Sequence, residues 1–333
     1  MARADAPVVK CGFAAVRGQE QATAQLRSAL QRERLAHAVL ITGPEGVGKQ
    51  LLARALTAFI ACEAPLDDAC GECAGCRQVA AGSHPDVRVV GVPDGKKDIR
   101  IEPIRELRGF MQLTPLRAPR KVALILDAHA LNGNAQNALL KTLEEPPPRS
   151  LLLLVTHAPG ALLPTVRSRC QRIQCAPLSD DVVADILEHD CQIPAVEAAL
   201  AAAYAEGSPG RALQMRYALG ERRRALLGHL AALPCAGYVS MTQMIRDMTE
   251  RDEPALPLTL VLTWYRDLAV QAVGARGVGL HNADLLAEQP QLSAESAVRA
   301  ADAVTAALAR LRRGNPNRQL LLEALLLHLR DAR

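Results

Sequence analysis

The residues best suited to chemistry in this chain lie in Gly43-Pro44-Glu45-Gly46-Val47-Gly48-Lys49-Gln50, which fits G-x-x-x-x-G-K. In such a loop the glycines let backbone N–H groups converge on phosphate oxygens. The N-terminus of the following helix adds partial positive charge, and Lys49 reaches toward the outer phosphates. The motif needs a strand before it and a helix after it. The apolar run Ala38–Thr42 and the helical pattern from Leu51 supply both. The last position departs from the pattern: a Ser or Thr hydroxyl normally ligates Mg²⁺ there, and this chain has Gln50. A longer amide side chain repositions any ligating oxygen and weakens the metal site. The bland alternative is a glycine-rich turn with a surface lysine.

A second element is Val122-Ala123-Leu124-Ile125-Leu126-Asp127, a hydrophobic strand ending in a carboxylate. Asp127 is then placed to help hold Mg²⁺ beside the phosphate loop. In many ATPases a glutamate follows and polarises the attacking water; here the next residue is Ala128. A methyl group neither accepts a proton nor orients water, and such help contributes about 10²–10⁴ in rate. Asp127 also reads as a helix N-cap or turn residue.

Cys62, Cys70, Cys73 and Cys76 form C-x₇-C-x₂-C-x₂-C, with Gly71 and Gly75 marking tight turns. Four soft thiolates at this spacing suit a closed, structural, tetrahedral Zn²⁺ site. His84 is a weaker candidate ligand. The alternatives are four unrelated cysteines or a redox C-x-x-C, and no thioredoxin-like strand precedes the cluster.

These groups must be positioned by a scaffold, and the first half of the chain supplies one. Strands are predicted at Ala38–Thr42, Val87–Val92, Val122–Leu126 and Leu151–Thr156, each a nearly continuous apolar run of the kind buried on both faces of a parallel sheet. Helical spacing fills the intervals at Gln19–Gln31, Gln50–Ala61, Ile101–Met111 and Ala135–Leu143, the alternation of an α/β fold. After Cys175 the text turns Ala/Leu-rich and helical, with breaks near Pro194, Gly207–Gly210, Pro234, Pro254, Gly274–Gly279 and Pro290. Three domains are expected: residues 1–176 with a zinc module over about 62–76, a small helical domain over 177–214, and an all-α domain over 215–333.

Composition narrows the class. Of 333 residues, 49 % are hydrophobic and 22 % charged, a soluble globular profile. Net charge is +4 and aromatics are 2 %, so neither charge nor base stacking argues for direct nucleic-acid binding. Met1–Lys10 has no apolar core of signal-peptide length. The apolar stretch Ala255–Tyr265 is interrupted by Arg266 and Asp267 and is too short to span a bilayer. A cytoplasmic protein is expected. Its nine cysteines then belong to a reducing compartment, not to a disulfide framework.

Taken together these pieces resemble the clamp-loader branch of the AAA+ ATPases over most of the first 215 residues. Asn137-Ala138-Leu139-Leu140-Lys141-Thr142-Leu143-Glu144-Glu145-Pro146-Pro147 is similar to that family's signature helix and its exit. Ser168-Arg169-Cys170 resembles its S-R-C motif, and Gly207-Ser208-Pro209-Gly210-Arg211-Ala212-Leu213 resembles its sensor-2 segment. The resemblance implies a subunit that takes part in ATP-dependent loading of a sliding clamp onto primed DNA, with gamma/tau and delta subunits as partners and a place in the DNA polymerase III holoenzyme. It makes Arg169 an arginine finger for a neighbour's ATP site, Thr156 a sensor-1 residue and Arg211 the sensor-2 residue. It also implies a helical lid over 177–214 and a collar over 215–333. On the residues alone, Arg169 and Arg211 are also surface arginines and Thr156 a strand-end threonine. Leu139, Leu140 and Leu143 share one helical face, which is core spacing. Gln50 and Ala128 distinguish the chain from the family's gamma/tau motor subunits, so little or no ATP hydrolysis is expected of it alone, although its phosphate loop suits ATP. The competing readings are a gamma/tau-type motor, a self-sufficient zinc-containing ATPase, and a purely structural scaffold.

Overall fold

A computed structural model describes residues 12–219, 221–233, 237–249, 255–275, 278–286, 292–313 and 316–331. The reading of Met1–Lys10, the breaks at Pro234, Pro254 and Pro290, and part of the Gly274–Gly279 break lie outside the described residues. The chain divides into two compact units, residues through Ile186 with Gly207–Gly210, and Leu187–Glu206 with Arg211 onward. The expected lid over 177–214 is therefore shared between them.

The first unit runs α1 (Glu20–Gln31), β1 (Ala38–Thr42), α2 (Lys49–Ala61), α3 (Ala74–Ala80), β2 (Val87–Val90), α4 (Ile101–Gln112), β3 (Lys121–Ile125), α5 (Gly133–Glu144), β4 (Ser150–Thr156), α6 (Pro164–Arg167), β5 (Gln171–Gln174) and the start of α7 (Asp180–His189). All five strands are parallel, in the order β2-β3-β4-β1-β5. β1, β3 and β4 are buried throughout, which explains their unbroken apolar text. One face packs Leu40, Ala123, Ile125, Leu152 and Leu154 against Ile104 and Leu107 of α4 and Leu139 and Leu143 of α5. α2 lies against β1 and β4. α5 starts where the Asn132 side chain accepts a hydrogen bond from the Ala135 N–H at 2.9 Å, a standard N-cap.

The structure departs from the sequence reading at the sheet edges. β2 ends at Val90, not Val92, and β5 is a strand that hydrophobicity did not signal. Gln171-Arg172-Ile173-Gln174 buries only Ile173. A half-exposed edge strand needs no apolar run, because one face meets water.

The second unit is helical: α8 (Ala195–Tyr204), α9 (Pro209–Leu219), α10 (Glu221–Ala232), α11 (Tyr238–Thr249), α12 (Ala255–Ala272), α13 (Ala283–Leu286), α14 (Ala294–Arg313) and α15 (Arg318–Asp331). α12 is its centre, packed against α8, α10 and α14. Asp267, which interrupts the apolar text of α12, is fully buried and accepts two hydrogen bonds from Asn282 at 2.8 Å. Arg223 is buried too, its Nε donating to Tyr204 Oη at 2.9 Å. Arg223 thus lies in the core, where its burial is matched by hydrogen bonds. Among the described residues, no helix is long and apolar enough to cross a membrane.

Candidate functional site

The phosphate loop leaves the carboxyl end of β1 and enters α2 at Lys49. Gly43 takes φ 149°, and a Cβ there would lie 2.4 Å from the Cys175 carbonyl oxygen, so only glycine lets the loop cross the end of β5 this closely. The loop is fastened from behind. The Ser208 hydroxyl donates to the Glu45 carbonyl at 2.7 Å and the Gly210 N–H to the Gly46 carbonyl at 3.0 Å. Lys49 is buried and donates to the Pro44 carbonyl. Burial lowers its pKa, while Cys175, Glu45 and Asp127 act in the opposite direction. The Cys175 thiol is itself pushed up to about 11 by burial. Gln50 is exposed at the first turn of α2.

Asp127 follows the carboxyl end of β3 in the left-handed region, φ 51°, and caps no helix with its side chain. It stands in a turn at the N-cap position of the 3-10 stretch Ala128–Ala130, so the turn-residue alternative holds, without a side-chain cap. Ala128 is fully buried and belongs to the core beneath α4 and α5. The position where a water-activating glutamate stands in other ATPases here points away from solvent. Thr156 ends β4 directly beside Thr42, its register partner on β1. It is buried, and its hydroxyl accepts from the Ala158 N–H at 3.0 Å. The loop, Asp127 and Thr156 therefore meet at the carboxyl end of one sheet.

Arg169 lies elsewhere. It follows α6 and precedes β5, where Gln171 pairs with Val39 near the start of β1. In a parallel sheet this places Arg169 at the amino end, level with residues before β1, whereas the phosphate loop begins after Thr42. At ~3.3 Å per residue, the separation is roughly 15–20 Å, too far for an arginine side chain. Arg169 is about one-third exposed. Its Nη2 pairs with Glu144 at 2.9 Å, and its Nη1 donates to the Thr165 carbonyl at 3.1 Å. Arg211 belongs to the second unit, where it pairs with Glu206 at 2.6 Å.

The four cysteines converge at the junction of α2 and α3. All are free thiols, with Sγ separations of 3.6 Å (Cys62–Cys70) and 4.0 Å (Cys70–Cys76 and Cys62–Cys73). Zn–S bonds of about 2.3 Å put tetrahedral sulfurs about 3.8 Å apart, so the set fits such an ion. Backbone N–H groups of Cys70, Cys73 and Cys76 donate to Cys62, Cys70 and Cys73 Sγ at 3.3–3.4 Å, orienting the sulfurs. Backbone donors, first that of Glu72, lower the Cys70 thiol to about 7, while burial raises Cys62. Gly75 is required, because a Cβ would meet the Ala61 carbonyl oxygen at 2.0 Å. Asp68 ties the module to the rest of the unit by accepting from the Phe13 and Ala14 N–H groups at 2.9 and 2.8 Å. His84 instead accepts from the Asp86 N–H at 3.0 Å and is absent from the cysteine group.

Sequence reasoning missed His129 and His157, which stand beside Asp127. Burial lowers the pKa of His129, with His157 acting in the same direction. Only the pairing of β3 with β4 brings these two distant histidines together. His157 directly follows β4, but His129 comes four residues after the end of β3, so no local spacing marks the pair.

A glycine-rich loop between strand and helix, with a carboxylate one strand beyond its neighbour in a five-stranded parallel sheet, defines an α/β P-loop domain of the ATPase type. Residues 18–179 match the family model described as DNA polymerase III, delta subunit. The delta-prime subunit of DNA polymerase III from Pseudomonas aeruginosa is 46 % identical over 145 residues, 43 % of this chain and 44 % of that protein. The delta-prime subunit of Escherichia coli is 34 % identical over 57 % of this chain and 58 % of its own length. The tau subunit of Bacillus subtilis is 37 % identical over 51 % of this chain and 30 % of its own. The chain thus spans 30 % to 58 % of the length of these curated relatives. A gamma subunit-related protein from Thermotoga maritima aligns structurally with 92 % of this chain and 100 % of its own at 19 % identity, with a TM-score of 0.40.

Proposed function

We propose that the chain acts as a delta-prime-type subunit of a cytoplasmic DNA polymerase III clamp loader, assembled with gamma/tau and delta subunits, in ATP-dependent loading of a sliding clamp onto primed DNA. In this reading it hydrolyses little or no ATP and supplies Arg169 to a neighbour's site. The observation that carries the reading is the separation of Arg169 from its own phosphate loop across the sheet. A guanidinium at the amino end serves a phosphate only in another subunit. There it neutralises charge developing on the transferred phosphoryl group, an effect worth about 10³–10⁵ in rate. Its pairing with Glu144 is a surface contact worth about 0–1 kcal/mol, so releasing it costs little.

The same reading assigns nucleotide contacts to Gly43–Lys49, Asp127, Thr156 and Arg211, a lid role to 177–214 and a collar role to 215–333. The cysteine set takes Zn²⁺ as a structural ion that ties α3 to α2. Metal analysis of purified protein is expected to find one zinc that is lost when Cys73 and Cys76 are replaced by Ser; four freely reactive thiols with no metal would contradict this. A gamma/tau-type motor shares the loop, but buried Ala128 speaks against it. The deciding experiment co-purifies the chain with gamma/tau and delta and compares ATP turnover of this subunit alone and assembled. Turnover only in the assembly is expected. Turnover by the isolated subunit at the rate of the assembly would overturn the reading.

A further inference from the structure

We propose that Asp127, His129 and His157 form a second metal site, separate from the cysteine module, that takes a borderline transition cation of the Zn²⁺, Co²⁺ or Ni²⁺ class. The three side chains each offer one ligand atom, and these atoms lie within 4.8 Å of one another. The sheet enforces the meeting. Asp127 and His129 follow β3, His157 follows β4, and those strands run side by side with Ile125 paired to Leu154. The two imidazole rings sit with centroids 4.1 Å apart, tilted by 57°. Among the described residues, His129 Nδ1 is buried with no hydrogen-bond partner, a condition that buried polar atoms rarely tolerate.

The donor set decides which cation fits. Mg²⁺ demands oxygen ligands in near-ideal octahedral geometry, and Gln50 has removed the hydroxyl that would favour it. Two imidazole nitrogens and one carboxylate suit the borderline cations instead. Metal–ligand bonds of about 2.0–2.2 Å place tetrahedral ligand atoms roughly 3.3–3.5 Å apart. His157 is the exposed member of the set, so its side chain has room to turn toward the other two. Three protein ligands leave one position for water or a phosphate oxygen. Lys49 is within electrostatic range of both Asp127 and His129, so the cation borders the phosphate loop.

The test uses the full chain, its cysteine module first loaded with one equivalent of Zn²⁺, titrated with Co²⁺. The expected result is one further equivalent bound, with visible d–d absorption and no thiolate-to-cobalt charge-transfer band. Replacing His157→Ala, on the surface and harmless to the core, should weaken this binding by more than the roughly 10–100-fold that loss of an outer-shell partner costs. Asp127→Asn should weaken it as well, with the zinc content of the cysteine module unchanged in both variants. No second equivalent in the wild-type protein, uptake only with a thiolate charge-transfer band, or wild-type affinity in both variants would overturn the proposal.

Discussion

At the carboxyl ends of β1, β3 and β4 lie the phosphate loop, Asp127 and Thr156. At the amino ends lie Asp86, the Glu144–Arg169 pair and the entry to β5. The two ends differ in what they retain. The carboxyl end has the backbone cradle for phosphate but Gln50 and Ala128 where a hydroxyl and a carboxylate would serve hydrolysis. The amino end is built firmly and presents one arginine held by a weak surface contact. Its firmness is plain at Asp86, fully buried, which pairs with buried Lys121 at 2.9 Å and accepts from the Leu116, Arg117 and Ala118 N–H groups at 2.6–2.8 Å. Under the proposed function, the two ends teach that a nucleotide-binding fold can keep its frame while its chemical contribution sits at the opposite end of the sheet.

The hardest blow to the carboxyl end is Ala128→Glu. If the loss of hydrolysis were a missing carboxylate alone, this change would restore turnover. Because Ala128 packs in the core, the account instead expects a destabilisation of about 4–5 kcal/mol from a buried, unpaired charge, and no gain of ATPase activity. Denaturant unfolding and a turnover assay on the variant check both halves.

At the amino end, pH is the next probe. Burial alone would raise the Asp86 pKa, but the three backbone donors and Lys121 outweigh it and hold the carboxyl well below the ordinary range. A folded pKa below the unfolded one means that the stabilisation is complete above about pH 4 and is lost as pH falls below that. Asp86→Asn should cost about 3 kcal/mol at pH 7 and flatten the acid limb of stability. An unchanged acid limb would show that the amino end is not held as described.

The smallest effect is expected from Glu144→Gln. Removing this surface partner should change stability by less than about 1 kcal/mol and release Arg169 from α5, leaving its hydrogen bond to the Thr165 carbonyl. Unfolding midpoints of the two proteins check the first point; a large loss would mean that the pair is structural.

Much of this contrast was legible in the sequence, and its gaps have physical causes. β1 was read at its true bounds and β3 and β4 to within one residue, because buried parallel strands carry continuous apolar text. The cysteine cluster was legible because its four thiols come from one short segment. β5 was hidden by its polar, half-exposed residues. The burial of Ala128 and the approach of His129 to His157 depend on strand order, which no local window encodes. The position of Arg169 at the amino end likewise required the β1–β5 register.

The central claim is that this chain donates an arginine and does not itself turn over nucleotide. Its most direct test compares Lys49→Ala with Arg169→Ala in a reconstituted clamp-loader complex, measuring ATP-dependent clamp loading. The account predicts that Arg169→Ala leaves assembly intact but lowers hydrolysis at the site it serves by about 10³-fold or more, while Lys49→Ala stays close to wild type. Full activity in Arg169→Ala together with a collapse in Lys49→Ala would contradict it.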